Sequence, residues 1–165
     1  MQTKSGHTLT RVAAIIVAVI LAGACAKIKD ISVTSCEVRN ISPRGLRSVE
    51  VLLAVGVHNP SVEFTVSDIE GEIRNEDCTI ATFMGGPVTV MKKSDDVYDL
   101  HCEATMGDNL SLFEMLNIVR KKDFSNMKVD VTALVRLKNG VSKTLKYKDM
   151  SLEELLNKAD LSSKL

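Results

Sequence analysis

The chain has no tryptophan, two tyrosines and four phenylalanines in 165 residues, an aromatic content of only 4%. So few rings argue against a carbohydrate platform, which works by stacking sugars on aromatic faces. Basic excess is lacking too: 21 Lys and Arg stand against 21 Asp and Glu. A nucleic-acid binder needs a basic face. The lysines that do cluster, Lys121 with Lys122 and Lys143 with Lys146 and Lys148, are interleaved with acids or fall at element edges, which reads as a solvated surface.

Metal and cofactor signatures are missing as well. There is no Cys-x-x-Cys and no His-x-x-x-His, and Asp95, Asp96 and Asp99 lack the glycine and glutamate spacing of a calcium loop. Gly85-Gly86-Pro87 has no Lys-Ser/Thr after it and leads towards a strand, unlike a phosphate-cradling loop. No metal site and no cofactor are expected. Nucleophilic catalysis needs a thiol or hydroxyl beside a base, and beyond the first 24 residues the only histidines are His58 and His101. His101 adjoins Cys102, but neighbours on a strand point to opposite faces. A cross-strand pairing of Cys78 with His101 stays open as the one alternative; otherwise no catalytic residues are expected, and the chain reads as a non-enzyme.

What the sequence does contain begins at its N-terminus. Lys4 and Arg11 precede an apolar run from Val12 to Leu21, followed by Ala22-Gly23-Ala24 and Cys25. This is the basic, apolar and small-residue order of an export signal. The run is ten residues long, about half of what a bilayer-spanning helix requires. Leu21-Ala22-Gly23-Ala24-Cys25 resembles the bacterial lipobox, in which small residues admit an extended backbone to the peptidase and the cysteine thiol accepts the lipid. That family places its leucine three residues before the cysteine, where this chain has Ala22. The resemblance implies lipid attachment at Cys25, with residues 1–24 removed as a lipoprotein signal peptide. Ala26 rather than aspartate follows, which points to the outer membrane and a domain facing the periplasm. The mature chain would carry 19 basic and 21 acidic residues, a net charge of −2.

After a polar tether, residues 25–30, one β-rich domain is expected over 31–148. Ile31, Val33 and Val38 begin a strand that Ser42-Pro43-Arg44-Gly45 interrupts. Val49, Val51, Leu53, Val55 and Val57 give the best core strand, ended by His58-Asn59-Pro60. Phe64 and Val66, then Ile69 and Ile73, alternate up to the turn at Asn75-Glu76-Asp77. Strands follow from Cys78 to Phe83, at Val88 and Val90, and from Val97 to Ala104, with Lys92 to Asp96 read as a loop. The segment after Asp108 or Asn109 has helical spacing, with Leu112, Phe113, Leu116 and Val119 or Arg120 at three- and four-residue steps. Val129 to Leu137 and Val141 to Tyr147 flank Asn139-Gly140, a hairpin signal. Ser151-Leu152-Glu153-Glu154 opens a short helical tail over 149–165. The pattern is that of an all-β sandwich of about seven strands with one amphipathic helix and a short C-terminal helix. Of Cys36, Cys78 and Cys102, the pair Cys78–Cys102 is the candidate disulfide if one forms.

Val51 to Ser61, with its Asn59-Pro60 pair, then Val62 to Ile73 and Gly85-Gly86-Pro87-Val88, resemble the late embryogenesis abundant type 2 domain, also called the water-stress and hypersensitive response domain. The resemblance covers about Val49 to Leu137. It implies a seven-stranded sandwich shaped like a fibronectin type III domain, with one helix and no known catalysis, and bacterial members are often lipoproteins. Asn59 and Pro60 are expected to be structural, terminating a strand. Two functions follow: a lipid-anchored envelope module holding a partner protein, a peptide or a hydrophobic ligand, or a stress-protective domain of weak, broad binding. The expected partners are the membrane, through the lipid, and an envelope component, with no nucleic acid.

Overall fold

A computed structural model describes residues 31–121 and 124–154. Eight strands run in the order β1 (Ser32–Arg44), β2 (Ser48–Asn59), β3 (Phe64–Asn75), β4 (Cys78–Gly85), β5 (Val88–Val90), β6 (Ser94–Met106), β7 (Met127–Leu137) and β8 (Ser142–Ser151), with helix α1 (Leu112–Lys121) between β6 and β7. All pairings are antiparallel, and the spatial order is β1-β2-β6-β4-β3-β7-β8, with β5 added to β3. β4 pairs with Ile69–Asn75 of β3, whereas β5 pairs with Phe64–Val66. β4 therefore joins two arms, β1-β2-β6 and β3-β7-β8, over one part of their length only. A single core cluster takes Val51, Leu53, Val55 and Val57 from one arm and Val129, Val131, Ala133 and Val135 from the other, so the sheet curls around its own apolar face. Burying each such side chain stabilises the fold by roughly 1.5–3 kcal/mol.

Two changes of phase along the strands are built by bulges. On β3 the inward residues are Phe64 and Val66, then Ile69. The register slips by one residue between Ser67 and Glu70, and Asp68 takes a positive φ of 49°. The extra residue turns the inward face from even to odd numbers. On β8, Leu145 points inward but Leu152, just past the strand end, is the next fully covered side chain. A second slip, with Asp149 at φ 55°, makes that change.

Some expectations need correction. Pro43 does not end β1; the strand continues through it to Arg44. β1 is at the sheet edge, where the missing N–H of proline costs no ladder bond. Ser94 to Asp96 are strand, not loop, paired with Asn59, His58 and Val57. Asn139-Gly140 turns the β7–β8 hairpin, but with Leu137 N–H donating to Val141 O and a positive φ at Gly140 alone of the two, it is a longer loop than the two-residue turn. The N-cap of α1 is Ser111 rather than Asp108 or Asn109. Its hydroxyl accepts from Glu114 N–H at 3.2 Å while the Glu114 carboxylate accepts from Ser111 N–H at 2.8 Å. Ile118 packs on the core, but Phe113 is 80% exposed rather than turned inward. The sheet extends to Ser151, and Leu152–Glu154 form one helical turn behind the Ser151 hydroxyl, which accepts from Glu154 N–H at 3.3 Å. The rest of the tail, residues 155–165, lies outside the described residues.

The strand ends fall into two groups. The entry end, where the chain arrives at Ile31, gathers the β2–β3, β5–β6 and β7–β8 connections; Ser32 pairs with His58, Asn59 with Ser94, and Phe64 with both Val90 and Leu137. The far end gathers the β1–β2 and β3–β4 turns, the approach to α1 and the end of β8.

Candidate functional site

Cys25, the expected lipid site, lies outside the described residues, as do the signal segment 1–24 and the tether up to Asp30. The other singled-out residues can be placed. Asn59 is fully buried at the entry end. Its amide donates to Val62 O and Met91 O, both at 2.8 Å, and its Oδ1 accepts from Ser61 N–H at 3.1 Å. One side chain therefore ties the β2–β3 and β5–β6 connections together, and a buried amide so placed leaves no polar atom unsatisfied. Met91 is drawn in further: its carbonyl also accepts from the Ser94 hydroxyl at 2.7 Å, and its N–H donates to the Tyr98 hydroxyl at 3.0 Å. Pro60 next door is exposed at the turn.

Cys78 and Cys102 are not joined. Gly85 is the residue of β4 opposite Cys102, while Cys78 faces Asn75 at the β3–β4 hairpin. Seven residues of strand separate Gly85 from Cys78, a span of about 23 Å, far beyond the reach of a disulfide. The same separation keeps Cys78 from His101, because Gly86 donates to the His101 carbonyl at 2.8 Å. Cys102 packs against the core; His101 is on the other face, 3.9 Å from Glu50. His58 reaches Asp95 at 2.6 Å in an exposed cross-strand pair. Among the described residues no group of three His, Cys, Asp or Glu is arranged to hold a metal.

Among the described residues an open groove of about 520 Å³ runs across β6, β4, β3, β7 and β8, on the face turned away from the core. Its charged lining is Glu70, Glu72, Glu103 and Asp130 against the single Lys148, with threonines 82, 105 and 132 between them and Met84, 55% exposed, between Glu70 and Glu103. The strand alternation puts these side chains outward because Ile69 and Phe83 point in. Gly71 lies under the Phe83 ring, where a Cβ would come within 2.1 Å of the ring. No motif marked this groove in the sequence: its residues come from five strands and share only the outward phase.

Arg74 organises the groove's far end. Its guanidinium donates to Asp130 at 3.0 Å and to Asp149 at 2.9 Å, and its Nε lies 3.2 Å from Glu72 without forming a hydrogen bond. Burial acts to raise the Asp130 carboxyl, but the Asp149 N–H at 2.7 Å and Arg74 outweigh it, so Asp130 titrates below the ordinary range. Glu50, on β2, is likewise held low by its hydrogen bond from Arg44.

No family model and no curated protein matches the chain. Among solved structures, it is similar to a protein from Archaeoglobus fulgidus, with 14% identity, a TM-score of 0.43, and coverage of 71% of this chain and 94% of that one. The GAE domain of yeast GGA1 shares 6% identity with a TM-score of 0.32, covering 72% and 97%. Spo0M, a sporulation control protein from Bacillus subtilis, shares 11% with a TM-score of 0.32, covering 73% of this chain and 49% of that one. All three likenesses are distant.

Proposed function

We propose that this chain is a lipid-anchored cell-envelope protein whose β-domain serves as a non-catalytic binding or structural module. The observation that carries the reading is the order at the N-terminus: Lys4 and Arg11, ten apolar residues, Ala22-Gly23-Ala24, Cys25, and seven residues later the first strand of a folded sheet. Cys25 takes the lipid, and the domain stands at the surface of the outer membrane in the periplasm. Its two arms, facing one another across the core, are read as the halves of a sandwich of the fibronectin type III kind. The groove around Met84 is its binding face for an envelope partner.

Intact-mass measurement of the protein made in a bacterial host, beside Cys25→Ala, tests the anchor. A diacyl or triacyl mass increase that disappears in the variant, together with loss of membrane partition, supports it. An unlipidated soluble product refutes it.

The second reading is a stress-protective domain of the late embryogenesis abundant type 2 kind. Asn59-Pro60, closing the best core strand with a buried amide, favours it, as does a groove that is open and polar rather than a deep apolar cavity. Protection of a freeze-dried reporter enzyme at stoichiometric ratio, undiminished by Met84→Arg, selects this reading. A single envelope protein crosslinked through the Met84 face selects the first.

A further inference from the structure

The two ends of the sheet carry opposite charge, although the sequence is neutral in total. The far end exposes Glu76, Asp77, Asp108, Glu114, Glu153 and Glu154, outnumbering Arg44, Arg47, Lys121 and Lys128. At the entry end the balance reverses. Lys92 and Lys93 form the β5–β6 turn, Lys138 and Lys143 flank the β7–β8 hairpin, and all four are exposed. Arg136 stands just behind them. The acids there are Glu63, Asp95 and Asp96, and two of them are already matched: Glu63 by Lys138 at 3.0 Å and Asp95 by His58 at 2.6 Å. Lys92, Lys93 and Lys143 have no ion pair among the described residues. Between these lysines two apolar side chains reach outward, Met91 at 49% and Val141 at 60% exposure.

These turns come together through observed bonds rather than by sequence proximity. Asn59 clasps Met91 and Val62, Lys138 N–H donates to Glu63 O at 3.1 Å, and Leu137 N–H donates to Val141 O at 2.8 Å. The chain enters at this same end, since Ser32 pairs with His58. Five residues separate Cys25 from Ile31, six residue steps with a reach of about 20 Å at full extension. If Cys25 is lipidated, no other end of the domain can be held so near the bilayer.

We propose that the entry end is a second membrane contact: Lys92, Lys93 and Lys143 engage anionic headgroups of the membrane that holds the lipid, with Met91 and Val141 entering the interface. This rests on the anchor reading above. It orients the domain with its acidic end and the exposed Leu46 pointing away from the membrane, because anionic headgroups repel that end. Basic residues within a Debye length of such a surface are attracted, and those beyond are screened.

The absence of tryptophan supplies the test. Full-length protein carrying Val141→Trp, or Leu46→Trp at the far end, is reconstituted in vesicles of phosphatidylcholine with or without phosphatidylglycerol, using brominated chains as quenchers. The expected result is a blue-shifted, quenched Trp signal for Val141→Trp in anionic vesicles only, reversed by high salt, with Leu46→Trp unaffected throughout. Neutralisation of three lysines, each contributing roughly fivefold, lowers the surface-engagement constant about a hundredfold in Lys92→Gln/Lys93→Gln/Lys143→Gln. If the protein is acylated at Cys25 and sediments with vesicles, yet Val141→Trp is unquenched or equally quenched without anionic lipid, the contact is refuted and the anchor stands. Quenching of Leu46→Trp instead refutes the orientation. An unacylated protein that stays in the supernatant overturns both.

Discussion

At the entry end the connections are closed by Asn59, a neutral amide with no exposed surface, whereas at the far end they are closed by arginines. Arg74 gathers Asp130 and Asp149 there, and Arg47 reaches the Gly107 carbonyl and lies 3.3 Å from Asp108. The amide works by satisfying carbonyls that water cannot reach, so its contribution ignores pH and salt. The arginines work partly through charge at half-open positions, so theirs depends on the ionisation of carboxylates and on screening. One sheet thus has a clasp at one end that is indifferent to pH and salt and a clasp at the other that responds to them. The indifferent clasp is also the one closest to the proposed membrane surface, where local pH and ionic composition depart most from bulk.

The largest effect is expected on removing the amide. Asn59→Leu leaves the Val62 and Met91 carbonyls buried without donors, at about 1–3 kcal/mol each, and denaturant unfolding should show that loss unchanged between pH 5 and 8. Asn59→Asp would make the indifferent clasp pH-dependent. A buried carboxylate facing two carbonyls has a raised pKa, so the variant should be most stable in acid, where the protonated group donates, and should lose stability as pH rises through its unfolded pKa. If Asn59→Asp unfolds identically at pH 4 and pH 8, the clasp does not govern that end.

A smaller effect, of opposite sign in pH, is expected at the far end. Asp130 is held below its ordinary range, so its contribution is fully present above the unfolded pKa of about 4 and fades as pH falls through the lower, folded value. In Arg74→Met the folded pKa of Asp130 moves back towards its unfolded value, so the variant should be less stable than the wild type above about pH 4, with the gap closing as pH falls. Amide exchange at Lys128 to Val131 should accelerate on acidification before exchange at the Asn59 clasp does. Uniform acceleration at both ends would dissolve the distinction between them. The smallest effect belongs to Ser111→Ala, which removes the α1 cap at a cost of about 1 kcal/mol; it should speed exchange within α1 alone.

How much of this was legible depends on the kind of signal. Val49 to Val57 and Val129 to Leu137 stand out because period-two alternation is written into consecutive residues, and both became core strands. The change of phase between Val66 and Ile69 read as continued alternation, and only the pairing with β7 identifies a bulge at Asp68. Pro43 was misleading because its penalty depends on whether the strand is central or at an edge, a fact of the sheet rather than of the residue. Ser94 to Asp96 looked like a loop because polar residues at the end of a strand need no core. Cys78 and Cys102 looked pairable until register put them at opposite ends of β4. Ser111 and Glu114 held a capping-box spacing that a competing cap signal at Asp108 and Asn109 obscured.

By itself the sequence determined the local facts: which segments alternate, where prolines and glycines interrupt, where a helix fits, and a charged, apolar and small-residue order ending at Cys25. These follow from propensities and patterns that act over a few neighbours. Tertiary structure alone decided the strand order, the joining of the two arms through β4, and the gathering of groove residues from five strands. It also decided the separation of lysines at one end from acids at the other. Those depend on which strand edges meet, and that choice is made by the summed burial of both arms around one core, a quantity no short window of residues contains.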